Sequence, residues 1–160
     1  MSETKNQMTL IVFSNDLDRA LAAFILAVGA ASSGMEVTVF FTFWGISLLR
    51  KNAAVTGKKK LVERLFGWML PKGPQDATLS KMNFFGAGTS MMKNLMRVKK
   101  MPQLDEYLDM ARSMNVSLVA CTTSMGIMGV GKEEMLDGIE YGGVATYLGK
   151  ARESSVNLFI

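Results

Sequence analysis

Short runs of β-branched and apolar residues alternate along this chain with stretches of helical period, and that alternation constrains the fold more than any other feature. Residues 8–13 (MTLIVF) read as a buried first strand. Ser14, Asn15 and Asp16 supply a turn of helix-capping residues. A helix over 17–33 follows, with Leu21, Phe24, Ile25 and Val28 on one face and Gly34 at its end. Residues 35–41 form a second strand, and 44–50 a further helix after a short turn. Beyond Pro102, a good first-turn residue, Leu104, Leu108 and Ala111 space out a helix to about Met114. Asp105 and Glu106 lie near its positive end. Residues 116–120 (VSLVA) are a third strand with Cys121 directly after it. The rest reads as a short helix (132–137), a short strand (139–142), a helix (144–151) and a last strand (156–160). This order predicts an α/β fold of three layers, α/β/α, around a mostly parallel sheet of about five strands, of the flavodoxin or Rossmann kind. The 160 residues are enough for one domain, 1–160.

Residues 51–101 interrupt the alternation and read as an inserted set of short helices and loops. From Arg50 to Lys100 there are twelve Lys and Arg against two acids, Glu63 and Asp76, a net of +10, while the remainder of the chain carries −6. An acidic body thus bears a basic middle segment. Lys58, Lys59 and Lys60 lead into a stretch where Leu61, Leu65 and Trp68 fall near one helical face, joined by Val62 and Met69. Five methionines between Met82 and Met101 suit an adaptable contact surface. The plainest account of the segment is an oligomer interface or a helix packed on the domain, its lysines solvated. Docking of a partner protein and contact with an anionic membrane surface are the other two. No nucleic-acid motif accompanies the basic patch, so no nucleic acid is expected.

The chain has no histidine, which removes imidazole base catalysis, Ser-His and Cys-His dyads and the usual zinc sites; no metal and no cofactor are expected. Its single cysteine forms no internal disulfide and fits a reducing cytoplasm. The longest apolar run has twelve residues, where a membrane span needs about twenty, and the polar start (1–7) lacks a signal-peptide pattern. A soluble, cytoplasmic protein is the expectation.

What chemistry remains centres on Cys121. It closes a strand, and Thr122, Thr123 and Ser124 then open a helical turn. Ligands of open α/β sheets sit beyond the carboxyl ends of strands. Free backbone N–H groups there favour thiolate, the reactive form. The bland alternative is a buried cysteine acting as small apolar filler. Residues 126–132 (GIMGVGK) formally fit a phosphate loop, but Glu133 stands where Ser or Thr should bind magnesium, and the glycines begin five residues past the strand. A flexible loop beside Cys121 is the simpler reading; a nucleotide or flavin site is the other. Asp16 and Asp18 read as helix-capping residues rather than a carboxylate pair.

Four segments carry a resemblance: TLIVFSNDLDRALAAFILAVGAASSGMEVTVFFTFWG, SKMNFFGAGTSMMK, ACTTSMGIMG and DGIEYGGVATYL. They cover most of the chain, and it resembles the DsrE/DsrF family of sulfur-relay proteins, in the subgroup with a long middle insertion. The resemblance implies a DsrE-type fold and a cytoplasmic sulfurtransferase that assembles into homo-oligomers. It implies that Cys121 holds sulfane sulfur as a persulfide and exchanges it with TusA-type carriers and rhodaneses. Trp44 and Gly45 match the family's FWG segment. Ser14, Asn15, Trp44 and Gly45 join Thr122, Thr123, Ser124 and Gly126 as candidates to line the site. Thiolate attack on sulfane sulfur needs no histidine if the thiol is already ionised. A reading from another class stays beside this one, a non-catalytic protein whose basic insertion docks a partner or a membrane.

Overall fold

The alternation builds five strands, β1 (Gln7–Val12), β2 (Glu36–Phe41), β3 (Ser117–Cys121), β4 (Glu140–Gly142) and β5 (Val156–Phe159), in the sheet order β4-β3-β2-β1-β5. Every pairing is parallel. The structure, a computed structural model, describes residues 6–52 and 61–160, and the α-helices among them are α1 (Leu17–Ser32), α2 (Leu61–Met69), α3 (Ala87–Val98), α4 (Leu104–Ser113), α5 (Thr122–Met128) and α6 (Val144–Glu153). Lys58, Lys59, Lys60, the first five residues and the side chain of Val62 lie outside the described residues. The chain steps from β1 to β4 in one direction and then returns to the far side of β1 for β5. Right-handed crossovers therefore put α1 and α4 together on one face and α6 on the other.

Strand alternation divides the apolar side chains between those faces. Leu10, Val12, Val39, Phe41, Leu118 and Ala120 enter the main core under α1 and α4. Phe40, Val119 and Cys121 point the other way, into a small cluster with Ile11 and Tyr147. α6 buries no residue of its own, and its Tyr147 ring covers Phe40 at 5.3 Å.

Several expectations shift in detail. α1 buries Leu17, Ala20, Ala23, Phe24 and Ala27, while Leu21 and Val28 are half-buried and Ile25 is exposed. The helix is apolar all round, so its period does not choose a face; the alanines allow close approach to the sheet and α4, and that does. The helix expected over 44–50 is a 3₁₀ segment, Phe43–Leu49. It crosses the end of β1 so closely that a Cβ on Gly45 would lie 2.2 Å from the Val12 carbonyl oxygen. The helix expected over 132–137 shrinks to one 3₁₀ turn, Lys132–Glu134.

The segment expected as an insertion holds, among its described residues, α2, two 3₁₀ turns (Pro74–Asp76 and Phe84–Gly86) and α3. The described side chains of the expected apolar face of α2 do not pack on the domain. Leu61 and Trp68 are 82% and 70% exposed, Leu65 and Met69 are exposed with them, and Gly67 and Leu70 are buried instead. The helix is pinned from beneath by Arg50. That guanidinium pairs with Glu134 at 2.8 Å, both side chains buried, and donates to the carbonyls of Gly67 (3.1 Å), Leu70 (3.3 Å) and Pro71 (3.3 Å). Fixed carbonyls near a helix C-terminus are where a cation fits best. Asp18 ties the far part of the insertion to α1, accepting from the Ser80 N–H (2.9 Å) and hydroxyl (2.6 Å). Its role is thus a staple, where the sequence pointed to a cap.

Candidate functional site

Cys121 stands where β3 ends and α5 begins, 5% exposed, as the N-cap residue of that helix. The sequence dictates this local geometry. β-Branched and small residues carry the strand up to Ala120, and a run of hydroxyl residues then turns into helix. The N–H groups of Thr123 and Ser124 fall at the second and third helical positions, which face the N-cap side chain. The thiol makes no full capping hydrogen bond. Burial pushes its pKa up, but the N–H and hydroxyl of Ser124, the Thr123 N–H and the Thr42 hydroxyl outweigh that and hold it below its ordinary value. These donors favour the thiolate.

Thr42 was not legible as a site residue. It follows β2 directly, one position beyond the Phe41–Ala120 pairing, which brings it level with Cys121 on the neighbouring strand. Its hydroxyl lies 2.8 Å from that of Ser124, itself buried. The signal that could have found it is positional: a hydroxyl at the carboxyl end of the adjacent parallel strand. Gly45 explains how it is held. Its N–H donates to the Phe13 and Thr42 carbonyls (2.9 and 3.0 Å), and the Thr42 N–H donates to Val12 (3.0 Å), so the 3₁₀ segment is strapped over β1 with Thr42 at its entrance.

The other candidates are brought to the same end of the sheet but not to the sulfur. Thr122 is exposed and its hydroxyl leans to the Gly142 carbonyl on β4 at 3.5 Å. Gly126 sits on the outer side of α5 with nothing within 4 Å of a Cβ placed there. Ser14 is buried and accepts from the Asp16 N–H (3.0 Å), a local turn bond, and Asn15 is half-buried beside it. Both belong to the end of β1, two strands from Cys121, at the switch point between β1 and β5. Trp44 is partly exposed at the rim, near a further group missed in the sequence: Phe13 meets Phe43 at 5.4 Å and Phe159 at 6.0 Å.

Nothing here has the build of a phosphate loop. Gly126 lies inside α5, Gly129 (φ 64°) ends that helix, and Gly131 precedes only the 3₁₀ turn Lys132–Glu134, its N–H already given to the Glu134 carboxylate (3.0 Å). A Cβ on Gly131 would strike the Glu133 carboxylate. Among the described residues, no three Cys, Asp or Glu side chains gather where a metal could be held.

Comparison with known proteins places the chain. The profile of the DsrE/DsrF/DrsH-like family matches residues 4–159. The chain is 47% identical over 160 residues to the uncharacterized protein YrkE of Bacillus subtilis, covering all of both. It is 33% identical over 162 residues to a protein of Allochromatium vinosum named sulfur carrier protein DsrE2, covering 98% of this chain and 99% of that one. Among solved structures, the YchN protein of E. coli matches with a TM-score of 0.54 at 13% identity, over 96% of this chain and 99% of that one. A protein of unknown function from Methanobacterium thermoautotrophicum gives 0.54 at 11%, over 95% and 97%. These two likenesses concern the fold alone.

Proposed function

The chain belongs to the DsrE/DsrF/DrsH-like family, and from that premise we propose that it is a sulfur carrier that holds sulfane sulfur as a persulfide on Cys121. The observation that carries the reading is the thiol itself. The sequence has no other cysteine, and donors from two elements, Thr42 after β2 and Thr123 and Ser124 in α5, favour its ionised form. The relative named as a sulfur carrier matches nearly the whole chain and supports it.

The steps balance without an added oxidant or reductant. The Cys121 thiolate attacks the outer sulfur of a donor persulfide. A new S–S bond forms, the donor's S–S bond breaks, and the donor leaves as a thiolate. An acceptor thiolate then attacks the outer sulfur on Cys121 and restores the starting thiolate. With thiosulfate as donor, sulfite is the leaving group. Because there is no second cysteine, no internal thiol intercepts the persulfide, and the second step requires a partner. TusA-type carriers and rhodaneses are the proposed exchange partners. A cytoplasmic homo-oligomer is the proposed state.

Incubation with thiosulfate or polysulfide followed by intact-mass measurement should show additions of about 32 Da per sulfur, lost on reduction. Cys121→Ser should abolish every addition with the circular dichroism unchanged. Failure to load from any sulfane donor, in a protein whose thiol reacts with a small alkylating agent, would overturn the reading.

A further inference from the structure

The segment between β2 and α4 displays apolar side chains that the fold does not use. Along α3, Met91, Leu95 and Val98 recur at helical spacing, and all three are exposed. Just before α3, Phe84 is exposed and Phe85 stands wholly in solvent. The turn that carries these rings is held against its preference. Met82, Phe84 and Phe85 have φ of 57°, 43° and 56°. Non-glycine residues avoid that left-handed region by about 1–2 kcal/mol each. Thr89 fixes the turn, donating to Asn83 Oδ1 (2.7 Å) and accepting from the Leu79 N–H (2.9 Å). Gly88 lets it close, since a Cβ there would lie 1.8 Å from the Met82 carbonyl oxygen. Beside the rings opens a groove of about 550 Å³, lined almost wholly by apolar atoms of Met82, Phe84, Met91, Met92 and Leu95. α2 repeats the disposition with its own outward stripe, Trp68 included.

The charge on this surface is predominantly positive, with Asp18, bonded to Ser80, at the edge of the groove. From Lys72 to Lys100 there are six cations, among them Lys81, Lys93, Arg97 and Lys99, against the single acid Asp76. Such a face needs an anionic counterpart, and contact with the same face of a second copy would set like charges together. Two helices with outward apolar stripes, exposed Trp and Phe rings, and flanking lysines match what an interfacial helix presents to lipid. No described helix is long and apolar enough to cross a bilayer, so the contact is with its surface.

We infer that the insertion rests on the surface of an anionic phospholipid bilayer. Phe84, Phe85 and the α3 stripe enter the boundary between headgroups and acyl chains, and the exposed Lys81, Arg97, Lys99 and Lys100 meet the phosphates, while Lys93 is held by the Gln75 carbonyl (2.8 Å). The inference is independent of sulfur chemistry at Cys121.

The test is co-sedimentation of the full chain with vesicles of equal parts phosphatidylglycerol and phosphatidylcholine, against vesicles of phosphatidylcholine alone. Binding to the first, weak or absent on the second and reduced by added salt, is expected. Phe85→Ser with Leu95→Ser should weaken it about tenfold or more, and Arg97→Gln with Lys99→Gln and Lys100→Gln by a similar factor. All are exposed positions, so the thermal midpoint and Cys121 loading should stay unchanged. No pelleting with anionic vesicles overturns the inference, as does pelleting that the Phe85→Ser, Leu95→Ser variant leaves intact. If those substitutions instead lower the solution mass of the protein and wild type ignores vesicles, the face joins copies of the chain and the inference falls.

Discussion

Phe24 and Phe85 are the same side chain in opposite settings. Phe24 in α1 is 1% exposed and meets Phe41 at 6.0 Å, while Phe85 projects from a strained turn with nothing over it. The contrast extends to the regions they belong to. Around β1, β2 and β3 the large apolar residues of the strands are mostly consumed by the fold, and the surface of α4 is left largely to Asp, Glu and Arg, although Val144 and Leu148 on α6 and Phe159 on β5 stay exposed. In the segment between β2 and α4, Leu70, Ala77 and Met96 are buried and polar contacts add to them, the Arg50–Glu134 pair beneath α2 and the Asp18–Ser80 contact beside the groove, while most of the large apolar side chains face out. Apolar pattern in the first region therefore reports how the chain folds, and in the second what it touches.

Phe24→Ala should lower the unfolding free energy by about 4 kcal/mol through the cavity it leaves. Phe85→Ala should change it by no more than about 0.5 kcal/mol. Urea titration of the two variants measures both, and a comparable loss for Phe85→Ala would break the contrast. Arg50→Met comes next, costing about 3 kcal/mol because the buried Glu134 carboxylate loses the cation beside it. A double variant with Glu134→Leu should recover most of that loss, whereas a staple acting only through the α2 carbonyls would show no recovery. The smallest effects belong to Thr42→Val and Ser124→Ala, each worth about 1 kcal/mol or less in stability. Their signature lies in pH. The thiol of the folded protein sits below its ordinary pKa, so thiolate persists to lower pH than for a free cysteine. Removing either hydroxyl should move the midpoint of the alkylation rate against pH upward, and a midpoint unmoved in both would show that the Ser124 and Thr123 N–H groups, not the hydroxyls, hold the thiol down.

The sheet was legible because its strands are compact runs of Val, Ile, Phe and Thr between clear stops, and the third, with Cys121 at its end, was placed to within a residue. Helix faces were less so. α1 carries apolar residues on every side, and only contact with the sheet selects Ala20, Ala23 and Ala27 over Ile25. At the site, Cys121 and Ser124 could be read because they adjoin in the chain. Thr42 could not, since its place beside the sulfur comes from the pairing of β2 with β3, a relation some eighty residues long in sequence. The insertion's amphipathic stripe was visible as a pattern, but pattern does not say inward or outward. That is decided by Gly67 in α2 and Leu70 directly after it, which are the buried residues there.

The two border strands, β4 and β5, have three and four residues. So little backbone is left to recruit a neighbouring chain that strand-to-strand growth between molecules is discouraged at both margins. Concentrated solutions should accordingly resist amyloid-like accretion, and copies that do associate must do so through side chains on their helical and loop surfaces.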